Sequence, residues 1–564
     1  MEDVISRLIS KETKLKVEDI LNFIETPSNS DLGDYSFPCF YLARKLKRNP
    51  SEIAEELSEK FKGKDFKGIS LIEARNGYLN FFLDRKLSVI GIFKRAYLKD
   101  FGRKGLGKGK KFLIEFSQPN THKAFHVGHI RGTVIGESLS RIFEFEGNQV
   151  IRANYSGDTG MHIAKWIWCY QKYHSKENLK NDESWIAGIY VDAVKRLKRN
   201  KKLQKEVDKI NLDLEEKNNP KMIKLWKKTR KISIESWKEI YNQLNTKFDV
   251  HYFESELGLE GKKIAEELLK KKIAKKDDAI FIDLKKYNLG VWVLSRKDGS
   301  VLYSAKDLAL AHRKLNDFHY SRYLITIADE QRLHFEQLIK TLELMKFPKS
   351  SSYEFLPFGM VRFPKGKISS RTGDNVLYSD FYCSTLEIAK KGLIKRGDSE
   401  KISNKKAPKI AISAIKYSML KQDPRRIIIF DPKEAISFEG DTGPYLLYSY
   451  ARANSILQNV KKHSKKPHKK IEELEISYVD DLENKLLKKV NLFPEVVEKA
   501  YENLSPNLIA NYCFELSKLF NEFYHSRHVL GSEDQEFRLR IVEVFKIILK
   551  KCLDLLGIDV LEEM

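Results

Sequence analysis

The segment from Phe112 to Gly157 constrains the architecture more than any other part of the chain. It runs as an apolar stretch, FLIEFS (112–117), a Pro-Asn turn, a helical pattern in HVGHIRGTVIGESLSRIFEFEG (126–147), and a second β-rich stretch, QVIRANYSG (149–157). Strand, helix and strand in that order form a βαβ unit, which places its strands parallel in a sheet covered by helices. The turn into the helix carries His126 and His129 around Gly128. A strand-to-helix turn offers side chains and helix-terminal N–H groups to an anion. Two imidazoles three apart share a helical face and, protonated or hydrogen-bonded, can stabilise charge growing on a phosphate. Gly128, lacking a side chain, lets a flat base lie against the backbone. A zinc reading of the pair lacks a third ligand at fitting spacing.

A second segment, PKGKISSRTGDN (364–375), combines Lys365, Lys367 and Arg371 with glycine, serine and threonine. Pliable backbone, hydroxyls and cations suit a clamp that closes over phosphates, although a solvated basic turn has the same composition.

The rest of the chain frames these two segments. At 564 residues it exceeds one ordinary core, so several domains are expected. Residues 1–100 mix a helical pattern, SEIAEELSEKF (51–61), with an alternating run, GYLNFFL (77–83), and are expected to form a small α+β domain. The Gly/Lys stretch at 101–111 has linker composition, and an α/β domain is expected over 101–385 with a helical insertion at about 165–275. Helical periodicity then dominates 386–564, an all-α bundle. Five isolated cysteines without a CxxC pair indicate neither a disulfide framework nor a metal site. No long uncharged apolar run is present, and the expected location is the cytoplasm, with no membrane partner. The net charge of +24 suits a polyanionic partner such as nucleic acid, but a lysine-rich solvated surface gives the same balance.

Together, HVGH early in the α/β domain and KISSR near its end resemble the paired HIGH and KMSKS motifs of class I aminoacyl-tRNA synthetases. Within that class, EFSQPNTHKAFHVGH (115–129) is similar to the arginyl-tRNA synthetase segment, and NYSGDTG (154–160), YSAKDLALA (303–311), ADEQRLHFEQL (328–338) and DTGPYLLYSYAR (441–452) follow in the family's order. The likeness covers essentially the whole chain. It implies a Rossmann-type catalytic domain with a helical insertion, an N-terminal α+β domain for the tRNA elbow and a C-terminal helical anticodon-binding bundle.

The resemblance also implies a reaction and the residues for it. L-arginine and ATP, with Mg2+ accompanying the nucleotide and no protein-built metal site, would give arginyl-adenylate, and the arginine tRNA would take the arginyl group. Asp307 would face the guanidinium, Tyr303 would pack on it and Gln331 would add an acceptor, while Glu115 and Asn120 would hold the amino-acid end. The physics agrees, since a guanidinium is a rigid fork of donors that wants a carboxylate. ATP would lie along His126, Gly128 and His129 under Lys367, Ser369 and Ser370. The loop has Arg371 where the class at large has a second lysine, and Lys123 stands where a family lysine substitutes for it. His122 and Ala328 are further departures, at places where a small residue and glycine are usual. For the tRNA, Asn76, Tyr78 and Asn80 in the elbow domain and Tyr445, Tyr448 and Arg452 in the bundle are the candidates; each group is equally at home in a packing seam. The family suggests a monomer. The rival readings are a non-catalytic tRNA-binding paralogue on the same fold and a cysteinyl or glutaminyl synthetase.

Overall fold

The computed structural model describes residues 1–27, 32–364, 376–463 and 470–564. They divide into two compact units, one built from Met1–Lys99 with 470–491 and Phe523–Val544, the other from 100–463, Leu492–Glu522 and Phe545–Met564.

The first unit holds an antiparallel sheet of β1 (Tyr35–Pro38), β2 (Ile69–Arg75) and β3 (Tyr78–Leu83), with β3 in the centre. The helix Pro50–Phe61 starts where Asn49 accepts a hydrogen bond from the Ser51 N–H and Pro50 fills the first turn. Its buried face, Ile53, Ala54, Leu57 and Phe61, joins Ile5, Ile9, Phe37 and Phe81 in one core, as the apolar spacing of 51–61 predicts.

The second unit is built on five parallel strands, β4 (Lys111–Glu115), β5 (Gln149–Ser156), β6 (Val250–Phe253), β10 (Arg322–Ala328) and β11 (Tyr353–Phe358), in the order β11-β10-β4-β5-β6. The helix Val127–Phe145 joins β4 to β5 and completes the expected βαβ unit. It lies close to the sheet because it has no side chains at Gly132 and Gly136, where a Cβ would stand 3.0 Å from the Phe358 ring and 2.2 Å from Phe116. Behind it, Arg152 of β5 pairs with Glu137 at 3.0 Å, their side chains only 3% and 1% exposed.

Four helices, Met161–Tyr173, Glu183–Arg199, Gln204–Glu215 and Pro220–Gln243, fill the chain between β5 and β6. Trp166, Trp168, Ile186 and Ile189 lie in their core. The stretch expected to be a helical insertion is therefore interrupted by β6, the edge strand of the main sheet. Its four residues are too few to display a strand period among lysine-rich helices. After it, β8 (Ile280–Asp283) and β9 (Val291–Val293) join β7 (Lys275–Lys276) in a separate antiparallel sheet. Beyond β11 the regular elements of the described residues are helices, apart from a two-residue pairing of β12 (Val361–Arg362) with β13 (Ile428–Ile429).

Candidate active site

The parallel sheet changes direction at β4, since β5 lies on one side of it and β10 on the other. Crevices in such sheets open at the carboxyl ends of the strands at this switch point. Here the backbone turns sharply, with positive φ at Ser117 (82°), Gln118 (45°) and His122 (62°), before the helix Val127–Phe145 begins.

His126 is the N-cap of that helix. Its Nδ1 accepts the Gly128 N–H at 3.2 Å, and the Nδ1 of His129 accepts the His126 N–H at 3.2 Å, a reciprocal capping box built from two imidazoles. With both Nδ1 atoms acting as acceptors, the ring protons reside on Nε2. Burial, and then the cation of Lys123, pushes His126 down to about 4; burial also holds His129 well below the usual imidazole range. Burial thus favours the neutral form of both rings, with Nε2–H left to donate, and weighs toward the hydrogen-bonded alternative. Gly128 has a second cause beside an approaching base, because a Cβ there would stand 3.0 Å from the His126 ring.

Lys123 lies 5.7 Å above the Tyr190 ring, and burial, followed by the nearby Lys165, lowers its affinity for a proton. Among the described residues it has no carboxylate partner, so it is a cation available to an anion. His122, one of the departures noted above, is buried against Trp166 and bonds Thr229 through Nε2 at 2.7 Å. The larger residue is accommodated by the helices that follow β5.

Beside this helix terminus opens a cavity of about 350 Å³ whose walls include all five side chains expected to hold arginine, Glu115, Asn120, Tyr303, Asp307 and Gln331. Asp307 Oδ2 is 2.6 Å from His334 Nε2, and His334 Nδ1 accepts the Trp292 indole N–H at 3.2 Å. With Nδ1 accepting from Trp292, Nε2 is the nitrogen that carries a proton toward Asp307. Tyr303, 59% exposed, lies at the mouth with its ring 4.8 Å from that of His334. Gln331 is exposed on the rim. At the closed end Glu115, 1% exposed, forms an ion pair with the buried Lys314 and accepts the Tyr323 hydroxyl at 3.1 Å. Asn120 passes over Gly157 so closely that a Cβ there would lie 2.2 Å from its Oδ1. Four carboxylates, Glu115, Glu254, Asp307 and Glu330, line the space against one ammonium, Lys314. The excess of negative charge suits a cationic ligand.

Lys314, His334 and Glu254 were not anticipated from the sequence. Two of them carried a spacing signal: Lys314 follows Asp307 by seven on one helix, and His334 follows Gln331 by three.

Lys367, Ser369, Ser370 and Arg371 lie outside the described residues. Of the tRNA candidates, Asn76 is exposed in the β2–β3 turn, and Tyr78 is half-buried with its ring edge-on to Phe40 at 5.4 Å. Asn80 is 2% exposed on the central strand, opposite Ser36 and Glu73 of its two neighbours, and accepts the Ser36 hydroxyl at 2.6 Å. In the other unit Tyr445 and Arg452 both bond Asn521, and the Arg452 guanidinium stacks 4.6 Å over Tyr448. These three form a half-buried seam.

Family comparisons fit this geometry. Residues 95–431 match the model for tRNA synthetases class I (R), catalytic domain, residues 1–83 the arginyl tRNA synthetase N terminal domain, and residues 446–564 the DALR anticodon binding domain. The chain belongs to the arginyl-tRNA synthetases. The arginine–tRNA ligase of Clostridium acetobutylicum is 34% identical over 577 residues, spanning 100% of this chain and 99% of the relative. That of Clostridium botulinum (strain Loch Maree / Type A3) is 32% identical over 573 residues, spanning all of both. Among solved structures, the Thermus thermophilus arginyl-tRNA synthetase superposes with a TM-score of 0.77 at 22% identity, covering 100% of this synthetase and 99% of its own chain. The Plasmodium falciparum enzyme gives 0.75 at 22% identity, covering 99% of each chain. At such identities the structures speak for a shared fold, while the curated relatives carry the family. No helix among the described residues of this synthetase is long and apolar enough to cross a membrane.

Proposed function

We propose that this chain activates L-arginine with ATP and passes the arginyl group to the arginine tRNA, acting as a monomer in the cytoplasm. The observation that carries the reading is an acidic cavity opening beside a helix terminus capped by two neutral histidines. A cationic amino acid and a polyphosphate can meet there without either entering the other's field of like charge.

In this reading the guanidinium lies against Asp307, whose Oδ2 is braced by His334, with Tyr303 covering the planar group and Gln331 accepting from it. Asn120 and Glu115 hold the amino-acid end. The arginine carboxylate attacks the α-phosphorus in line; a carboxyl O–P bond forms, the bridging P–O bond breaks, and pyrophosphate leaves. The tRNA's terminal ribose hydroxyl then attacks the acyl carbon, loses its proton, and AMP departs. His126 and His129 donate Nε2–H bonds to oxygens that gain charge, Gly128 leaves room for the nucleotide, and Lys123 adds the cation. Lys367, Ser369, Ser370 and Arg371 complete the phosphate clamp on the strength of the family pattern. Mg2+ arrives as the companion of ATP's phosphates. Exposed Asn76 and half-buried Tyr78 serve the tRNA elbow, and the Tyr445, Tyr448 and Arg452 face serves the anticodon arm.

The test is arginine-dependent ATP–pyrophosphate exchange with and without arginine tRNA, on the wild type and on Asp307→Ala. Exchange that needs the tRNA and disappears in the variant supports both reaction and pocket. Tight tRNA binding with no exchange for any amino acid would overturn the reading in favour of a non-catalytic paralogue.

A further inference from the structure

Away from the cavity, a second set of chemically active side chains converges between β5 and β6. The helix Met161–Tyr173 carries Cys169 and is followed at once by His174, and the helix Glu183–Arg199 presents Asp192 to both. Cys169 Sγ lies 3.5 Å from Asp192 Oδ2, and His174 Nε2 lies 3.0 Å from the same oxygen. All three donor atoms fall within 4.8 Å of one another.

Those separations are those of a coordination shell. Bonds of about 2.3 Å to sulfur and about 2.0 Å to nitrogen or oxygen, at tetrahedral angles, put sulfur and oxygen about 3.5 Å apart and nitrogen and oxygen about 3.3 Å apart. With sulfur and nitrogen also within 4.8 Å of each other, a modest side-chain movement would bring all three donors onto one ion, with water as the fourth ligand. The imidazole is also held as a metal-binding histidine is held. Its Nδ1 lies 2.6 Å from Glu177 Oε1, and the other oxygen of Glu177 accepts the Trp185 indole N–H at 2.8 Å. A carboxylate on the far nitrogen fixes ring orientation and strengthens the ligand. The donor set of thiolate, imidazole and carboxylate is one that zinc and its neighbours in the first transition row accept.

We propose that Cys169, His174 and Asp192 form a binding site for a zinc-like divalent cation, with Glu177 as the positioning residue behind His174. Binding replaces the protons on Sγ and Nε2; one thiolate and one carboxylate then balance the charge of the ion. Arg196, whose Nε is 2.8 Å from Asp192 Oδ2, is the group the metal displaces. It remains stacked 3.7 Å over Tyr173 and can turn to the other carboxylate oxygen. The ion would clip two helices together, one of which carries Tyr190, the ring beneath Lys123.

The test is a cobalt titration of the full chain after dialysis against a chelator, followed by zinc displacement. The expected result is a near-ultraviolet thiolate-to-cobalt band that saturates at one ion per chain and vanishes on adding zinc. Cys169→Ser should abolish the band, whereas Cys383→Ser, at the exposed cysteine, should retain it. Glu177→Gln should weaken cobalt binding by about 10-fold to 100-fold. If Cys169→Ser misfolds by circular dichroism, His174→Gln, at a partly exposed position, answers in its place. Absence of the band in the wild type, or its persistence in Cys169→Ser or in a folded His174→Gln, would overturn the proposal.

Discussion

The backbone N–H of His126 donates to Nδ1 of His129, and the two imidazole rings stack with centroids 3.8 Å apart. Each ring thus helps to hold the helix start that aims the other, and structure and chemistry are tied at one turn.

His129→Ala removes a partner of the cap together with an Nε2–H donor. The expected loss in arginine activation is about 10²-fold to 10³-fold, the scale for one preorganised donor at a developing oxyanion. The cap alone costs about 1 kcal/mol of stability. Pyrophosphate exchange beside thermal unfolding separates the two; a few-fold loss of exchange would remove the ring from the charge-stabilising role.

Gly157→Ala places a methyl group where Asn120 Oδ1 now lies, 2.2 Å from the ideal Cβ. Asn120 must move, and a displacement on the order of 1 Å in a positioning group can cost about 10²-fold. The KM for arginine should rise while that for ATP changes little. Steady-state kinetics in the two substrates checks this, and an unchanged arginine KM would mean that Asn120 does not hold the amino acid.

Stability should fall as the solution is acidified below the ordinary histidine range. Burial holds His122 and His162 down at about 3 and His126 and His251 at about 4, and keeps His129 well below its usual value. The unfolded chain takes up these protons from about 6.5 downward, whereas the native chain does not. The stabilisation is therefore complete above about 6.5 and is lost progressively as pH falls toward about 3. Urea midpoints across that interval should decline with decreasing pH; a flat profile would mean that the rings protonate in the folded state.

The buried pair of Glu137 and Arg152 gives a prediction remote from the chemistry. Glu137→Leu leaves a guanidinium 3% exposed without the buried one of its two carboxylates. Breaking such a pair costs about 3–5 kcal/mol, reduced here because Glu144 still holds Arg152 at 2.6 Å. Adding Arg152→Met should recover part of the loss. Urea unfolding of the single and double variants reads this directly, and a double variant less stable than the single would contradict it.

Much of this arrangement was legible in the residues. The βαβ unit announced itself through period and turn chemistry, and the five side chains expected to hold arginine line one cavity because their motifs end strands or begin helices at one edge of the sheet. Short elements escaped: β6 has four residues and β12 two, too few for a period to emerge. Partners that meet through the fold also escaped. Lys314 and Glu115 are 199 positions apart, and no local pattern could announce that they share a buried contact. The burial of Asn80 also escaped, because a polar residue on an alternating strand has the same sequence signature whether it meets water or a buried cross-strand partner such as Ser36.

The pairing of Glu115 with Lys314 gives the cavity a resident ammonium on a tether. Under the proposed function an arriving amino acid would be measured against that lysine, as against a reference competitor built into the pocket. A ligand that brings only another point charge gains little by exchange at Glu115. In the proposed reading selection would then rest at Asp307, where a flat fork of donors can satisfy a braced carboxylate in a way that a compact ammonium cannot.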